Sequence, residues 1–336
     1  MLCCILSSCA AKPQKKKFSS HSFDYFDTAS IITGYENSQE EFDAVANDIL
    51  SQLEEYHKLY SIYDRFQGVN NLCTINELTD GVHKTVTVDR KIIDMLLYSK
   101  EMYEATGGML NVAMGSVLSL WHSYRTLGRD NPMDASLPPM DKLKAAAEHT
   151  DIDNMIIDEV NCTVTLLDPK MKLDVGAVAK GYATERIASY LEEKGITGYV
   201  LNIGGNVCTI GSKPDGNPWV VGIEDGTGAN DYAAYLQLNG QSVVTSGSYQ
   251  RYYTVDGKRY HHIIHPKTLF PSEGYLSVSI ICSDSALGDC LSTALFCMPL
   301  EDGRNLVESL SGVEAMWIKD DGEKIVSSGF NTYIKQ

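Results

Sequence analysis

At 336 residues the chain can bury a sizeable core, in one large domain or in two lobes. With 43% hydrophobic residues and nineteen tyrosines it has the make-up of a soluble globular protein, and no apolar run approaches the roughly twenty residues that a membrane span needs. A formal charge of −16 with dispersed basic residues argues against nucleic acid as a partner, since phosphate-backbone binding requires a basic face.

The chain opens on MLCCILSSCA, a short apolar run ending in Leu6-Ser7-Ser8-Cys9, which resembles a bacterial lipobox. A polar tether from Lys12 to Lys17 follows, so residues 1–22 read as a lipoprotein signal and tether with a lipid on Cys9, although the apolar part is short and lacks a basic start. The nine cysteines include no CxxC pair and no histidine at zinc-ligand spacing, so neither a disulfide framework nor a zinc site is expected.

Folded sequence is expected from Phe23 to the end. Ser38 and Glu41 form a capping box, and Phe42, Val45, Ile49, Leu53, Tyr56 and Tyr60 mark the buried face of a long helix. Ser61 to Asn76 breaks that period and reads as a surface loop at a pocket edge. A second helix spans Asp89 to Thr106 and stops at Gly107-Gly108, directly before Met109, Leu110 and Asn111. Leu127 to Pro139 carries clustered breakers and reads as a flexible excursion, after which a short helix starts at Met140.

A strand hairpin over Thr163 to Leu173 leads into KLDVGAVAKGYATE, residues 172–185, where a glycine-broken turn precedes a helix that runs from Val178 to Gly195. The first turn of that helix exposes unpaired N–H groups, and Lys180 adds a cation, so an anion is favoured there. Asp174 places a carboxylate at its mouth. Tyr199 to Gly211 is a strand interrupted by Gly204-Gly205, a bulge or a point of ligand approach. Antiparallel strands fill Trp219 to Ile281, with a hairpin turn at Asp256-Gly257, and a helix from Ser285 to Met298 closes the fold.

Three further stretches carry chemistry. Asp289 and Thr293, spaced i, i+4, share one face of the closing helix and offer hard oxygen ligands suited to Mg²⁺, with the Ala177 carbonyl as a possible third. His261, His262 and His265 are split between faces by strand alternation. SGSYQRYY, residues 246–253, is a hydroxyl-rich turn that either wraps phosphate or serves as a loop.

In order, LDVGAVAKGYA (173–183), LNIGGN (201–206), TSGSYQRYY (245–253), YHHIIHPKT (260–268) and GDCLSTALF (288–296) resemble the ApbE family, the FAD:protein FMN transferases. The resemblance implies an α+β fold, T-fold-like, with antiparallel sheets, packed helices and two lobes around a flavin cleft. It implies a Mg²⁺-dependent enzyme that moves the FMN half of FAD to a threonine or serine hydroxyl of an acceptor protein, releasing AMP. The acceptor would be a membrane redox subunit, with the enzyme lipid-anchored and facing the periplasm or cell exterior. FAD hydrolysis to FMN and AMP, or flavin binding with little chemistry, are the alternatives. Carried over by position, Asp174, Lys180, Met109, Leu110, Asn111, Ile264 and Tyr60 would contact the flavin nucleotide, Ala177, Asp289 and Thr293 would hold Mg²⁺, and His262 would be the base. Two departures stand out: His265 replaces the usual aspartate of HIIDP, and Leu269 replaces the usual glycine after Pro-x-Thr.

Overall fold

The computed structural model describes residues 15–77, 85–227 and 232–335; Cys9 and the lipobox lie outside them. The chain runs β1 (Lys16–Ser22), β2 (Ser30–Glu36), α1 (Gln39–Tyr60), α2 (Leu72–Asn76), β3 (Thr85–Thr87), α3 (Arg90–Ala105), α4 (Gly115–Asp130) and α5 (Met140–Ala147). Then come β4 (Met155–Asp158), β5 (Thr163–Leu166), α6 (Ala179–Glu193), β6 (Tyr199–Ile203), β7 (Asn206–Ile210), β8 (Trp219–Glu224), β9 (Tyr232–Leu238) and β10 (Ser242–Gly247). The remainder is β11 (Tyr252–Val255), β12 (Lys258–His261), β13 (Tyr275–Cys282), α7 (Ser285–Phe296), α8 (Leu300–Ser309), β14 (Glu314–Lys319) and β15 (Lys324–Val326).

An eight-stranded sheet in the order β1-β2-β6-β7-β10-β13-β14-β15 is the backbone of the fold, and its paired strands are antiparallel throughout. Side-chain alternation feeds two cores from one sheet. One face, with Leu201, Ile203, Val278 and Ile280, packs on α1, α3, α6 and α7. The other, with Val243, Ile281, Met316 and Ile318, packs on the β8-β9 pair. A third cluster joins Trp121 of α4 to Tyr253 and Ile264 beside the β11-β12 hairpin.

Several local expectations are corrected. The folded part reaches back to Lys16, because β1 pairs with β2 and Phe18 stacks on Phe42 at 5.6 Å. Ser38 caps α1 by accepting from the Glu41 N–H at 3.1 Å, but the Glu41 carboxylate turns to Asn37 instead of closing the box. The expected surface loop contains α2, whose Leu72 and Ile75 are fully buried and whose cap, Asn71, forms a box with Thr74. Of the expected excursion, Leu127 to Asp130 is the end of α4 and the remainder to Pro139 is a single 3-10 turn and irregular chain; Gly128 sits inside the helix because a side chain there would meet the Tyr253 ring at 2.7 Å. Gly204 and Gly205, at φ 59° and 87°, make the tight β6-β7 hairpin turn that only left-handed residues permit.

Leu269, in place of glycine, sits at φ 63° with 8% of its surface exposed, and its carbonyl accepts from the Trp121 indole at 2.9 Å. The left-handed backbone costs about 1 kcal/mol, while burial of the side chain contributes about 2 kcal/mol. Burial wins, so Leu269→Gly should lower stability by about 1 kcal/mol or more in urea unfolding; a stabilised variant would show that the strain dominates.

Candidate active site

The turn before α6 is clasped from behind. Asn76, at the end of α2, donates to the Leu173 carbonyl at 2.8 Å and accepts from the Leu173 N–H at 2.7 Å, and the next residue, Asp174, donates its N–H to Val112 O at 2.8 Å. Asp174 Oδ1 then accepts from the Gly176 N–H at 2.9 Å, which shapes the turn. Burial raises the Asp174 carboxyl above its usual range, against the lowering effect of that N–H and of His122, Arg125 and Arg251.

Helix α7 crosses α6 at Gly181. A Cβ at Gly181 would stand 2.4 Å from Asp289 Cβ and 2.5 Å from the Ser285 carbonyl, so only glycine allows this approach. The Gly181 N–H donates to Asp289 Oδ2 at 2.7 Å, and Lys180 Nζ lies 3.7 Å from the same oxygen. Asp289 is 4% exposed and spends one carboxylate oxygen on α6. One turn on, Thr293 Oγ1 is 3.1 Å from the Ser246 hydroxyl of β10, which also meets Ser292 at 2.9 Å.

These pieces open onto a cleft of about 340 Å³. Of the residues singled out from the sequence, Asp174, Ala177, Lys180, His262, Ile264, Asp289 and Thr293 line it. Tyr60 does not. It is buried in the core, donates its hydroxyl to the Lys91 carbonyl at 3.2 Å and backs an adjoining hollow of about 110 Å³. Met109, Leu110 and Asn111 stand behind the cleft, where the Asn111 side chain ties Thr150 to Ala113 and supports the Val112 carbonyl that holds Asp174.

Lining residues not singled out from the sequence include Tyr63, His122 and Arg125, while Arg251 belongs to the 246–253 stretch. Tyr63, 57% exposed, packs against His122 with ring centroids 5.2 Å apart and the rings tilted by 32°, and Arg125 meets His122 Nδ1 at 3.0 Å. Arg251 reaches in from the β10-β11 connection. His122 and Arg125 sit on α4, a helix whose Val117 and Trp121, spaced i, i+4, are its sequence signal.

His262 follows the end of β12, in a bend and not in regular strand, and faces the cleft. Its Nδ1 is enclosed without a partner. Burial, then the positive charges of Arg251 and Arg125, pull its pKa down to about 3. His261 and His265 face a separate depression of about 1000 Å³ that shares no lining residue with the cleft. That depression is the larger, but it lacks the α6–α7 crossing and the buried carboxylate, so the chemistry is assigned to the cleft. His265 Nδ1 accepts from the Lys267 and Thr268 N–H groups at 3.0 and 3.3 Å, the turn-capping task an aspartate carboxylate would perform. The substituted position therefore shapes the turn and does not polarise His262.

Among the described residues no group of three or more His, Cys, Asp and Glu side chains converges. One carboxylate, one hydroxyl and a peptide carbonyl make a sparse set of hard oxygens. Such a set suits Mg²⁺, which keeps waters and substrate phosphates as its other ligands, and does not suit zinc. The six described cysteines are free, and no helix among the described residues is long and apolar enough to cross a membrane.

A cationic, glycine-lined cleft with hard oxygen donors, set in an antiparallel α+β fold, has the chemistry that suits a phosphorylated ligand. The ApbE family model matches residues 26–317. The chain is 32% identical over 288 residues to an FAD:protein FMN transferase of Klebsiella pneumoniae, covering 85% of each, and 34% identical over 260 residues to one of Treponema pallidum, covering 73% of this chain and 70% of that protein. The ApbE protein of Thermotoga maritima has a similar structure, with a TM-score of 0.82, 29% identity, and coverage of 96% of this chain and 100% of that one. The chain belongs to the ApbE family and is a transferase.

A histidine in the unfolded chain titrates near 6.5. Between that pH and about 3 the unfolded chain would bind a proton that folded His262 does not, so this residue removes stability as pH falls through that window. Imidazole NMR should find His262 neutral at pH 5; a midpoint near 6.5 would mean the ring is not enclosed as described.

Proposed function

We propose that the chain transfers the FMN half of FAD to a threonine or serine hydroxyl of an acceptor protein, with release of AMP, in a Mg²⁺-dependent reaction. The observation that supports this most is the meeting, in one cleft, of Asp289 and Thr293 from α7, the Ala177–Lys180 turn and His262. Relatives named FAD:protein FMN transferase support the reaction class.

Asp289, through the carboxylate oxygen not used by Gly181, Thr293 and the Ala177 carbonyl would hold Mg²⁺, which when bound neutralises diphosphate charge and fixes phosphorus for in-line attack. Lys180, together with the positive end of the α6 dipole, takes up charge developing on the departing AMP oxygen. His262 accepts the proton of the attacking hydroxyl as its oxygen bonds to the FMN phosphorus and the bond to AMP breaks. Its low pKa keeps it unprotonated in the free enzyme, ready to accept, and an anionic substrate beside Arg251 and Arg125 raises its basicity. Tyr63 offers an exposed aromatic face to a ring system.

The lipobox-like Leu6-Ser7-Ser8-Cys9 supports a lipid anchor facing the periplasm or cell exterior, which would place the enzyme beside a membrane redox subunit as acceptor.

Incubation with FAD, Mg²⁺ and an acceptor carrying a reactive threonine, read by in-gel flavin fluorescence with AMP quantified, tests the reaction. Equal release of FMN and AMP without labelled protein would favour hydrolysis instead. His262→Asn should retain FAD binding and slow transfer by about a hundredfold or more; an unchanged rate would remove His262 from the mechanism. Asp289→Ala should abolish both transfer and its response to Mg²⁺, and a fully active variant would refute the metal assignment.

A further inference from the structure

The cleft has a second cationic wall opposite the start of α6. Arg125 projects from α4 one turn after Trp121, whose indole is locked onto the Leu269 carbonyl at 2.9 Å. His122 holds the Arg125 head through the 3.0 Å contact at Nδ1, and the Tyr63 ring buttresses His122 in turn. Arg251 enters from the other side, its Nη2 donating to the Asp27 carbonyl at 3.4 Å.

Neither guanidinium has a carboxylate partner among the described residues, which is also true of Arg129, Arg186 and Arg259, but of these five arginines Arg125 and Arg251 are the ones that line the cleft. The nearby acids leave them free. Asp174 is committed to the Gly176 N–H and pushed toward its neutral form, and Asp27 offers Arg251 only its backbone carbonyl. In a chain of net charge −16, two guanidiniums without carboxylate partners line one cleft, an arrangement that favours an anion from outside. Their planar forks match phosphate oxygens in pairs, which an ammonium such as Lys180 does not.

We propose that Arg125 and Arg251 form a two-guanidinium clamp on the diphosphate of the bound dinucleotide, with His122 as the positioning residue for Arg125. The proposal rests on the FAD reading above and adds the residues that distinguish a phosphorylated flavin from a bare one. Lys180 and the α6 start then serve one side of the diphosphate and the arginine pair the other.

The test is equilibrium binding in EDTA, followed by flavin fluorescence, with FAD and with riboflavin, which has no phosphate. Arg125→Gln and Arg251→Gln should each raise the Kd for FAD about tenfold and leave that for riboflavin unchanged. Arg251→Lys, which keeps the charge but loses the fork, should fall between Arg251→Gln and wild type. His122→Ala should raise the FAD Kd about threefold in the wild-type background and have no effect when Arg125 is already glutamine, as expected of a residue acting through Arg125. Because Arg251 is exposed, its variants will fold even if those of Arg125 do not. FAD affinity unchanged in the Arg251 variants, or FAD and riboflavin affinities falling together, would overturn the clamp alone. A wild-type protein that binds no FAD would overturn the nucleotide reading as well.

Discussion

The site depends on one hydrogen bond between two helices, from the Gly181 N–H of α6 to Asp289 Oδ2 of α7 at 2.7 Å. It spends an otherwise unpaired N–H of a helix start on a carboxylate, which favours negative charge at that point. It is possible because Gly181 has no side chain, and it engages only one oxygen of a nearly buried carboxylate that lines the cleft. Lys180, next to that glycine, is thereby placed at 3.7 Å from the same carboxylate. Asn206, at the start of β7, reinforces the crossing by accepting from the Ser285 hydroxyl at the head of α7, and Glu185 accepts from the Ser285 N–H at 2.8 Å.

Charge is arranged against the average of the chain. The protein is strongly acidic, yet Arg125, Arg251 and Lys180 gather at the cleft. Of the two histidines lining the cavity, His262 is held neutral by its burial and then by Arg251 and Arg125, while Asp174 is pressed toward protonation by burial against the pull of the same cations. A concave surface with fixed cations concentrates field lines and draws in anionic substrates, which a uniform negative surface would repel. The same cations add to burial in suppressing proton uptake by His262, and a bound anion would offset their share, which would link affinity and basicity through the same arginines.

Much of this was readable from residues because it rests on local chemistry. The α6 turn follows from Gly176, Lys180 and Gly181, and the β11-β12 hairpin from Asp256-Gly257, whose residues sit at φ 49° and 79°. What escaped depends on partners distant in sequence. Asn76 clasps Leu173 across ninety-seven positions, which no periodicity in residues 61–76 announces. Breaker residues near Gly128 hid the end of α4, since glycine there answers to the Tyr253 ring and not to a turn. Tyr60 and Tyr63 are both aromatic and three residues apart, but the end of α1 lies between them, so one ring enters the core and the other the cleft. At His265 and Leu269 the family pattern changes while the turn survives, because an imidazole nitrogen caps it and a buried leucine offsets its own backbone strain.

The central claim is that a divalent ion held by α7 and the α6 turn touches the diphosphate of a bound flavin dinucleotide. Mn²⁺ substituted for Mg²⁺ provides a direct probe, through electron–nuclear double resonance on the protein with FAD bound. The account predicts a resolved ³¹P coupling from the FAD diphosphate to the protein-bound Mn²⁺, absent from Asp289→Ala under the same conditions. Protein-bound Mn²⁺ and bound FAD with no ³¹P coupling would contradict it.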